Sequence, residues 1–490
     1  MFFAIESTFV APSINWSYGA MPLFLMMWAM LVLLVDLFSS NRRTLAGLSI
    51  VGLLITAGLG FVRWGLPSAT TFNDMLVSDS FGIMVNWILL GATLITILIS
   101  LDYMPRQGLL RGEFYPLLLF ATSGMMFLVQ ANDLVTMFVG LETFSIALYV
   151  LTGYAVAQFK SEEAAMKYLL LGGFAAGFLV YGIALIYGFT GATNVNQIAS
   201  AITASNASDP LLLIGIGLII IAFGFKVSLV PFHAWTPDVY EGAPTPVTAY
   251  MSVATKGAAF VAMLRLLNVA FPAVKAEWQV IFGILAAVTM AYGNIVAIAQ
   301  ANLKRMLAYS SIAHAGYMML AVLAGTNLGV NSFVVYFLAY TLTNLGAFAV
   351  LIALENRGVT GFELNDLRGL GRRHPLLALA MSVFMFSLAG VPPTAGFVGK
   401  FAVFRAAWAA GLEWLALVGV VTSVISAFFY LRVIVLMWMR DEETETERPT
   451  FATTPLIAGV AIAVVGIIVL GIIPTPLLDV VQDFVLAAAK

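Results

Sequence analysis

Four charged residues stand where an apolar chain should have none: Glu142, Lys226, Lys256 and Lys400, each inside a long apolar run. A charge at the centre of an inserting helix costs about 2.5 to 3.5 kcal/mol on insertion scales, so such residues mark ion movement. Glu142 lies in MFVGLETFSIALYVL with no opposite charge within one helical turn, and its partner must come from another segment. Lys226 is the candidate. A carboxylate beside an ammonium holds both groups charged, and moving the carboxylate away favours the neutral amine. The pair thus reads as a switch for proton release. Lys256, in VTAYMSVATKGAAF, can pass the proton on, and Lys400 would serve the exit half-channel. The competing reading makes all four buried ion pairs that fix helix register.

A second rank of residues surrounds these. Lys167 lies near the end of an apolar segment, where a lysine can snorkel to the interface. His233 follows Pro231, and His314 lies inside YSSIAHAGY; a histidine can relay protons near neutral pH, although a lone one is commonly hydrogen-bonded in a bundle. His374, before Pro375 in a basic loop, reads as solvated. Arg265, Arg405 and Arg432 lie nearer segment ends and suit snorkelling or helix packing. Asp133, Asp238 and Glu241, also at segment ends, suit capping or loop hydrogen bonds.

Composition defines what must position these groups. Of 490 residues, 61% are hydrophobic and 10% charged, against about 25% charged in soluble domains. The chain is therefore an integral, all-α membrane protein in contact with the lipid bilayer. A net charge of -2 leaves no basic face for nucleic acid. The absence of cysteine excludes disulfides, thiolate metal sites and Cys-ligated iron–sulfur clusters, and three widely spaced histidines suggest no metal site. Redox chemistry must happen in another chain.

At roughly 20 residues per span, the sequence divides into about fourteen transmembrane helices. They fall near 18–38, 44–64, 81–101, 114–130, 133–154, 164–189, 211–231, 243–269, 278–299, 305–325, 331–355, 375–411, 414–439 and 453–475. The twelfth is too long for one span and carries Gly390, Pro392, Pro393 and Gly396, so it reads as a helix broken in mid-membrane. The first run lacks a basic leader and a cleavage site and reads as a retained helix.

Alternating the loops puts Arg42, Arg43, Arg106, Arg111, Lys160, Lys304, Arg305, Arg357, Arg368, Arg372, Arg373, Arg440 and Arg448 on one side. Only Arg63, Lys275 and Lys490 fall on the other. The first side is then cytoplasmic, and both termini lie outside. The acidic stretch DEETETE, 441–447, reads as a solvated hinge in the last cytoplasmic loop.

FGFKVSLVPFHAW (223–235) and FSLAGVPPTAGFVGKF (386–401) each join a Pro-interrupted helix to a lone lysine. They occupy the same place in two sets of five segments, and an odd count makes the sets inverted repeats with broken helices 7 and 12. The expected organisation is a three-helix segment at 1–113, a first repeat at 114–269, a second at 278–441, and a loop with the last helix at 442–490.

Three strings carry a family resemblance: SEEAAMKYLLLGGFAAGFLVYGIALIYGFTG (161–191), FKVSLVPFHAWTPDVYEGAPTPVTAYMSVATKGA (225–258) and SLAGVPPTAGFVGKF (387–401). They closely resemble the subunit N family among the antiporter-like membrane subunits of respiratory complex I, the proton-translocating NADH–quinone oxidoreductase. That family is also similar to large subunits of Mrp-type cation/proton antiporters. Lys400 agrees with subunit N rather than subunit M, which typically has glutamate there.

The resemblance implies a Glu142–Lys226 pair, a central Lys256 linked by water to the cytoplasmic side, Lys400 toward the outer side, and a further functional lysine at Lys167. It implies no cofactor in this chain. FMN, iron–sulfur clusters, NADH and quinone would belong to partner subunits, with sister antiporter-like subunits beside this one in the cell inner membrane. The function it implies is proton pumping driven by electron transfer from NADH to quinone in those partners. An Mrp-type antiporter subunit and a passive scaffold of the membrane arm are the alternatives.

Overall fold

The computed structural model describes residues 14–39, 41–109, 111–355, 363–441, 452–484 and 486. Arg357, Arg448, Lys490 and the acidic stretch from 442 onward lie outside the described residues.

The apolar runs become helices because backbone polar groups in lipid must be satisfied within their own segment. In chain order these are α1 (Ala20–Asp36), α2 (Arg42–Phe61), α3 (Ser80–Ser100), α4 (Phe114–Gln130), α5 (Leu134–Thr152) and α6 (Phe159–Thr190). Next come α7 (Pro210–Val227), a short α8 (Trp235–Gly242), α9 (Thr245–Arg265), α10 (Lys275–Ile298), α11 (Leu303–Ala324) and α12 (Asn327–Leu354). The chain continues through α13 (Pro375–Ala389), α14 (Ala395–Ala409), α15 (Glu413–Met439) and α16 (Thr454–Ile472). Among the described residues, 11 helices are long and apolar enough to cross a membrane, and α1, α4 and α13 are shorter apolar helices. The fold is a multi-pass, all-α membrane fold with one small exception.

That exception is a two-stranded antiparallel hairpin, β1 (Ala69–Thr71) with β2 (Leu76–Ser78). Phe72, Asn73 and Asp74 turn it with positive φ. Its turn closes over the end of α4, where the Asn132 amide donates to the Met75 carbonyl at 2.9 Å. An all-helical reading of the sequence misses it; Asn-Asp between short β-branched stretches was the available signal.

The core lies around α9, all of whose residues are buried. This helix packs on α3, α4, α5, α7, α8, α11 and α12. Gly257 permits its approach to α12: a Cβ there would stand 1.9 Å from the Phe337 ring. Lipid-length helices such as α2, α6, α15 and α16 lie at the periphery and expose apolar faces.

Two interruptions shape the interior. α7 stops at Val227, Ser228 turns left-handed (φ 65°), and the chain re-enters helix at Trp235. The freed groups find partners: the Leu229 amide donates to the Gly224 carbonyl (2.8 Å), the Trp235 indole to the Phe225 carbonyl (3.0 Å), and the Val230 amide to the Thr289 hydroxyl (2.9 Å). Between α13 and α14, Gly390 turns at φ 84°, and a Cβ there would also stand 2.9 Å from the Lys400 side chain. Glycine is required on both counts.

Several end-of-segment residues have definite partners. Asp133 caps α5 by accepting from the Val135 and Thr136 amides. Arg265 neither snorkels nor rests on apolar surface alone. Its two guanidinium nitrogens each donate at 2.8 Å to the Asp79 carboxylate, and its Nε donates to the Val129 carbonyl at 2.9 Å. Asp79 in turn caps α3 by accepting from the Gly82 amide. Lys304, expected in a loop, is instead buried and donates to the Ala243 carbonyl at 2.9 Å.

Arg265→Ala leaves Asp79 buried without its counter-charge and should destabilise the bundle by about 3–5 kcal/mol. Thermal unfolding of the purified protein in detergent measures this; an unchanged midpoint would contradict the assignment.

Candidate functional site

Lys226 lies in the last turn of α7, with its ammonium inside a ring of aromatic faces: Phe144 at 5.5 Å, Tyr149 at 5.6 Å, and Tyr168 and Phe225 at 5.8 Å. These faces carry negative quadrupole potential and suit a cation. The ammonium donates to the Ser145 hydroxyl at 2.7 Å, and that hydroxyl donates to the Leu141 carbonyl at 2.5 Å. Glu142 sits one turn before Ser145 on α5, with Oε1 buried and without a hydrogen bond. The two charges act on each other electrostatically, yet no ion-pair contact joins them. The sequence reading of a carboxylate directly beside an ammonium is corrected to this extent: Ser145 stands at the ammonium. Charge alone fixed attention on Glu142, whereas the serine three residues on faces the same helix.

Lys256, at mid-length of α9, reaches across to α11, where its ammonium donates to the Ser311 carbonyl (2.7 Å) and hydroxyl (2.5 Å). The Tyr340 hydroxyl donates to the same Ser311 hydroxyl at 2.9 Å, and the Asn344 amide donates to the Ser252 hydroxyl at 2.5 Å. His314 lies one turn beyond Ser311. Its ring is 5.0 Å from Tyr340, its Nδ1 is 2.6 Å from the Tyr336 hydroxyl, and its Nε2 is 3.2 Å from the Tyr430 hydroxyl. Tyr430 continues to Ser310 at 2.5 Å. His314 shares Tyr340 with the Ser311 that holds Lys256, and its ring lies edge-on to Tyr317 (5.6 Å), the ring over which Lys400 sits at 5.0 Å. The fold therefore brings His314 to the lysines.

Lys400, in the second turn of α14, faces the break before its own helix. Its ammonium donates to the Leu388 and Ala389 carbonyls (2.8 and 3.1 Å) and to the Ser423 hydroxyl (2.8 Å), and it lies 5.0 Å over the Tyr317 ring. Those carbonyls end α13, where the helix dipole favours a cation.

The other expected residues divide. Lys167 donates to Asp238 at 2.6 Å and pairs with Glu163 at 2.7 Å. Asp238 also accepts from Arg305 (2.9 Å), and Glu241 accepts from Arg305 (2.8 Å) and Lys160 (2.7 Å). The caps expected of Asp238 and Glu241 are instead a lattice of ion pairs holding α8 between α6 and α11, around a cavity of about 180 Å³. His233 lies in the break after α7, edge-on to Tyr292 at 4.7 Å, and among the described residues no hydrogen bond of Lys226, Lys256 or Lys400 goes to it. His374, expected to be solvated, is half-buried at the start of α13. Arg405 is exposed on α14, and Arg432 donates to the Ile298 carbonyl at 3.3 Å.

A search for charge misses the hydroxyls of Ser145, Ser311, Ser423, Tyr336, Tyr340 and Tyr430, which take up the buried donors. Helical spacing was the signal: Tyr336 and Tyr340, like Ser310 and His314, are four residues apart on one face. Among the described residues no group of three or more metal-ligating side chains could hold an ion.

Residues 131–426 match the family described as "NADH:quinone oxidoreductase/Mrp antiporter, TM". This chain belongs to that family of antiporter-like membrane subunits. It is a close homologue of the NADH-quinone oxidoreductase subunit N proteins: it is 69% identical to "NADH-quinone oxidoreductase subunit N 1" of Herpetosiphon aurantiacus, over 99% of each chain. Subunit N of Chloroflexus aggregans is 53% identical over 93% of this chain and 94% of its own. A chain of respiratory complex I from Thermus thermophilus superposes with a TM-score of 0.81 at 35% identity, covering 96% of this chain and 100% of that one.

Burial alone would raise the Asp238 and Glu241 carboxyls, but hydrogen bonds from Lys167 and Arg305 to the one, and from Lys160 and Arg305 to the other, hold both below the ordinary carboxylate range. A lowered folded value means stability fully present above the unfolded value, about 4, and lost as pH falls through the folded one. Asp238→Asn should therefore unfold at a lower temperature than the parent at pH 7, with the gap closing below about pH 4. A gap of equal size at pH 7 and at about pH 3 would contradict the lattice.

Proposed function

We infer that Glu142, Lys226, Lys256 and Lys400 form a proton relay, with His314 between the last two lysines. The chain is a membrane-arm subunit of a complex I-type NADH:quinone oxidoreductase, a multisubunit enzyme in which this subunit lacks a redox centre of its own. Its fourteen spans would form two inverted five-helix repeats, 114–269 and 278–441, with the interruptions after Val227 and Ala389 in their broken helices. Positive-inside counting favours both termini on the outer side of the cell inner membrane.

One observation carries this reading. Among the described residues, the ammonium groups of Lys226, Lys256 and Lys400 hydrogen-bond only to hydroxyls and backbone carbonyls. A fixed carboxylate instead commits a buried cation to its charge, as Asp79 does for Arg265 at 2.8 Å. A serine or a carbonyl accepts from an ammonium and equally from a neutral amine. These lysines can therefore lose and regain a proton without stranding a partner.

In the proposed cycle, quinone reduction in neighbouring subunits shifts charge along the membrane arm and alters the hold of Glu142 on Lys226. The proton leaves Lys226 for Lys256, passes the His314 cluster, and departs from Lys400. Moving one charge against 100 mV takes about 2.3 kcal/mol. A change in proton affinity of about two pKa units, at 1.36 kcal/mol per unit, matches it.

Lys226→Ala or Glu142→Ala, introduced into the assembled complex, should lower protons pumped per electron while NADH-to-quinone electron transfer continues or slows. Full pumping by either variant would sink the mechanism. Loss of assembly, with pumping intact in whatever complex forms, would favour a scaffold instead.

A further inference from the structure

The relay reaches Lys226 at one end and Ser311 with Lys256 at the other, and between them Tyr240 stands with its polar atom unused. Tyr240, on α8, is fully buried, and its hydroxyl has no hydrogen-bond partner. Buried hydroxyls are normally satisfied, and an exception calls for explanation. Tyr250 and Tyr340 follow the rule, meeting Thr122 at 2.7 Å and donating to Ser311, whereas Tyr149 beside Lys226 shares the exception.

The surroundings of Tyr240 point in two directions. On one side the Tyr240 hydroxyl faces Ser311, the acceptor of Lys256, close by but outside the geometry of a formed hydrogen bond. On the other, Tyr240 lies edge-on to Trp235 (6.2 Å), which stacks on Tyr168 (4.7 Å), one of the four rings around Lys226. The Tyr168 and Tyr240 hydroxyls are within electrostatic range of each other. Asp238 and Glu241, close to Tyr240 in sequence, are pinned by Lys167, Arg305 and Lys160, so the backbone of α8 is held in place.

We propose that the Tyr240 hydroxyl is the proton-passing group between Lys226 and Lys256. This rests on the relay reading above. In the transfer, the Lys226 ammonium gives up one N–H proton to the Tyr168 oxygen, and the Tyr168 O–H proton passes to the Tyr240 oxygen. The Tyr240 O–H proton passes to Ser311 Oγ, and the Ser311 proton passes to neutral Lys256. Each hydroxyl loses one O–H bond and gains another; the net change is one proton moved from lysine to lysine. Rotation of the Tyr240 O–H about its Cζ–O bond turns the proton toward Ser311 or away from it.

The test is Tyr240→Phe in the assembled enzyme, which removes one oxygen and keeps the ring. A positioned proton-transfer group supplies about 100-fold or more, so NADH-driven proton uptake by membrane vesicles should fall roughly tenfold or further at equal content of assembled complex. Tyr250→Phe should leave uptake unchanged. Ser311→Ala, which removes the next group in line, should reproduce the loss and serves if Tyr240→Phe fails to assemble. Parent-level uptake in Tyr240→Phe or Ser311→Ala, beside a Lys226→Ala variant that is impaired, would overturn the role of Tyr240 and leave the relay standing. Parent-level uptake in all of them would overturn both.

Discussion

Everything in the interior depends on one constraint: besides Lys304 in the first turn of α11, three amines, Lys226, Lys256 and Lys400, are buried with no carboxylate in contact. Removing an ammonium from water is costly, and the usual remedy is a carboxylate in contact. The chain uses that remedy at Arg265 and Asp79, where the bidentate pair ties the end of α9 to the start of α3. At Lys226, Lys256 and Lys400 it supplies serine hydroxyls, carbonyls and aromatic faces instead. Those ligands soften the desolvation without committing the site to a charge. The same surroundings are compatible with an amine.

The helix interruptions follow from this constraint. In an unbroken helix each interior carbonyl already accepts from the amide four residues on and has only its second lone pair to offer. Ending α13 at Ala389 releases Leu388 and Ala389, and Lys400 takes them up. Ending α7 at Val227 places Lys226 in a last turn whose Phe225 carbonyl is taken by Trp235, so the break is closed by the segment that carries Tyr240. Each break thus couples backbone satisfaction to the position of a lysine. α9 needs no break, because Lys256 borrows its acceptors from Ser311 on the neighbouring helix.

Much of this was legible in the sequence, and for a physical reason. Isolated charges in apolar runs are so costly that Glu142, Lys226, Lys256 and Lys400 announce themselves, and Pro with Gly marks where a helix must stop. Partner choice was not legible. Whether Lys226 meets Glu142 or Ser145 depends on how α5 and α7 rotate against each other, which apolar periodicity does not fix in segments apolar on all sides. Asp238 and Glu241 looked like caps because capping is the local solution for an acid at a helix end; the contact with Arg305 spans more than sixty residues and is visible only in three dimensions. His314 could be weighed from its place in YSSIAHAGY, but Tyr336 and Tyr430, which hold its ring, come from two other helices.

The central claim is that the buried lysines serve by releasing protons and not by holding charge. Arginine keeps the charge and does not deprotonate in proteins, so Lys256→Arg separates the two roles. Protons pumped per electron should be measured in the assembled enzyme for Lys256→Arg beside Lys256→Met. The account predicts that Lys256→Arg assembles and pumps no better than Lys256→Met. Pumping at the parent level by Lys256→Arg would contradict it.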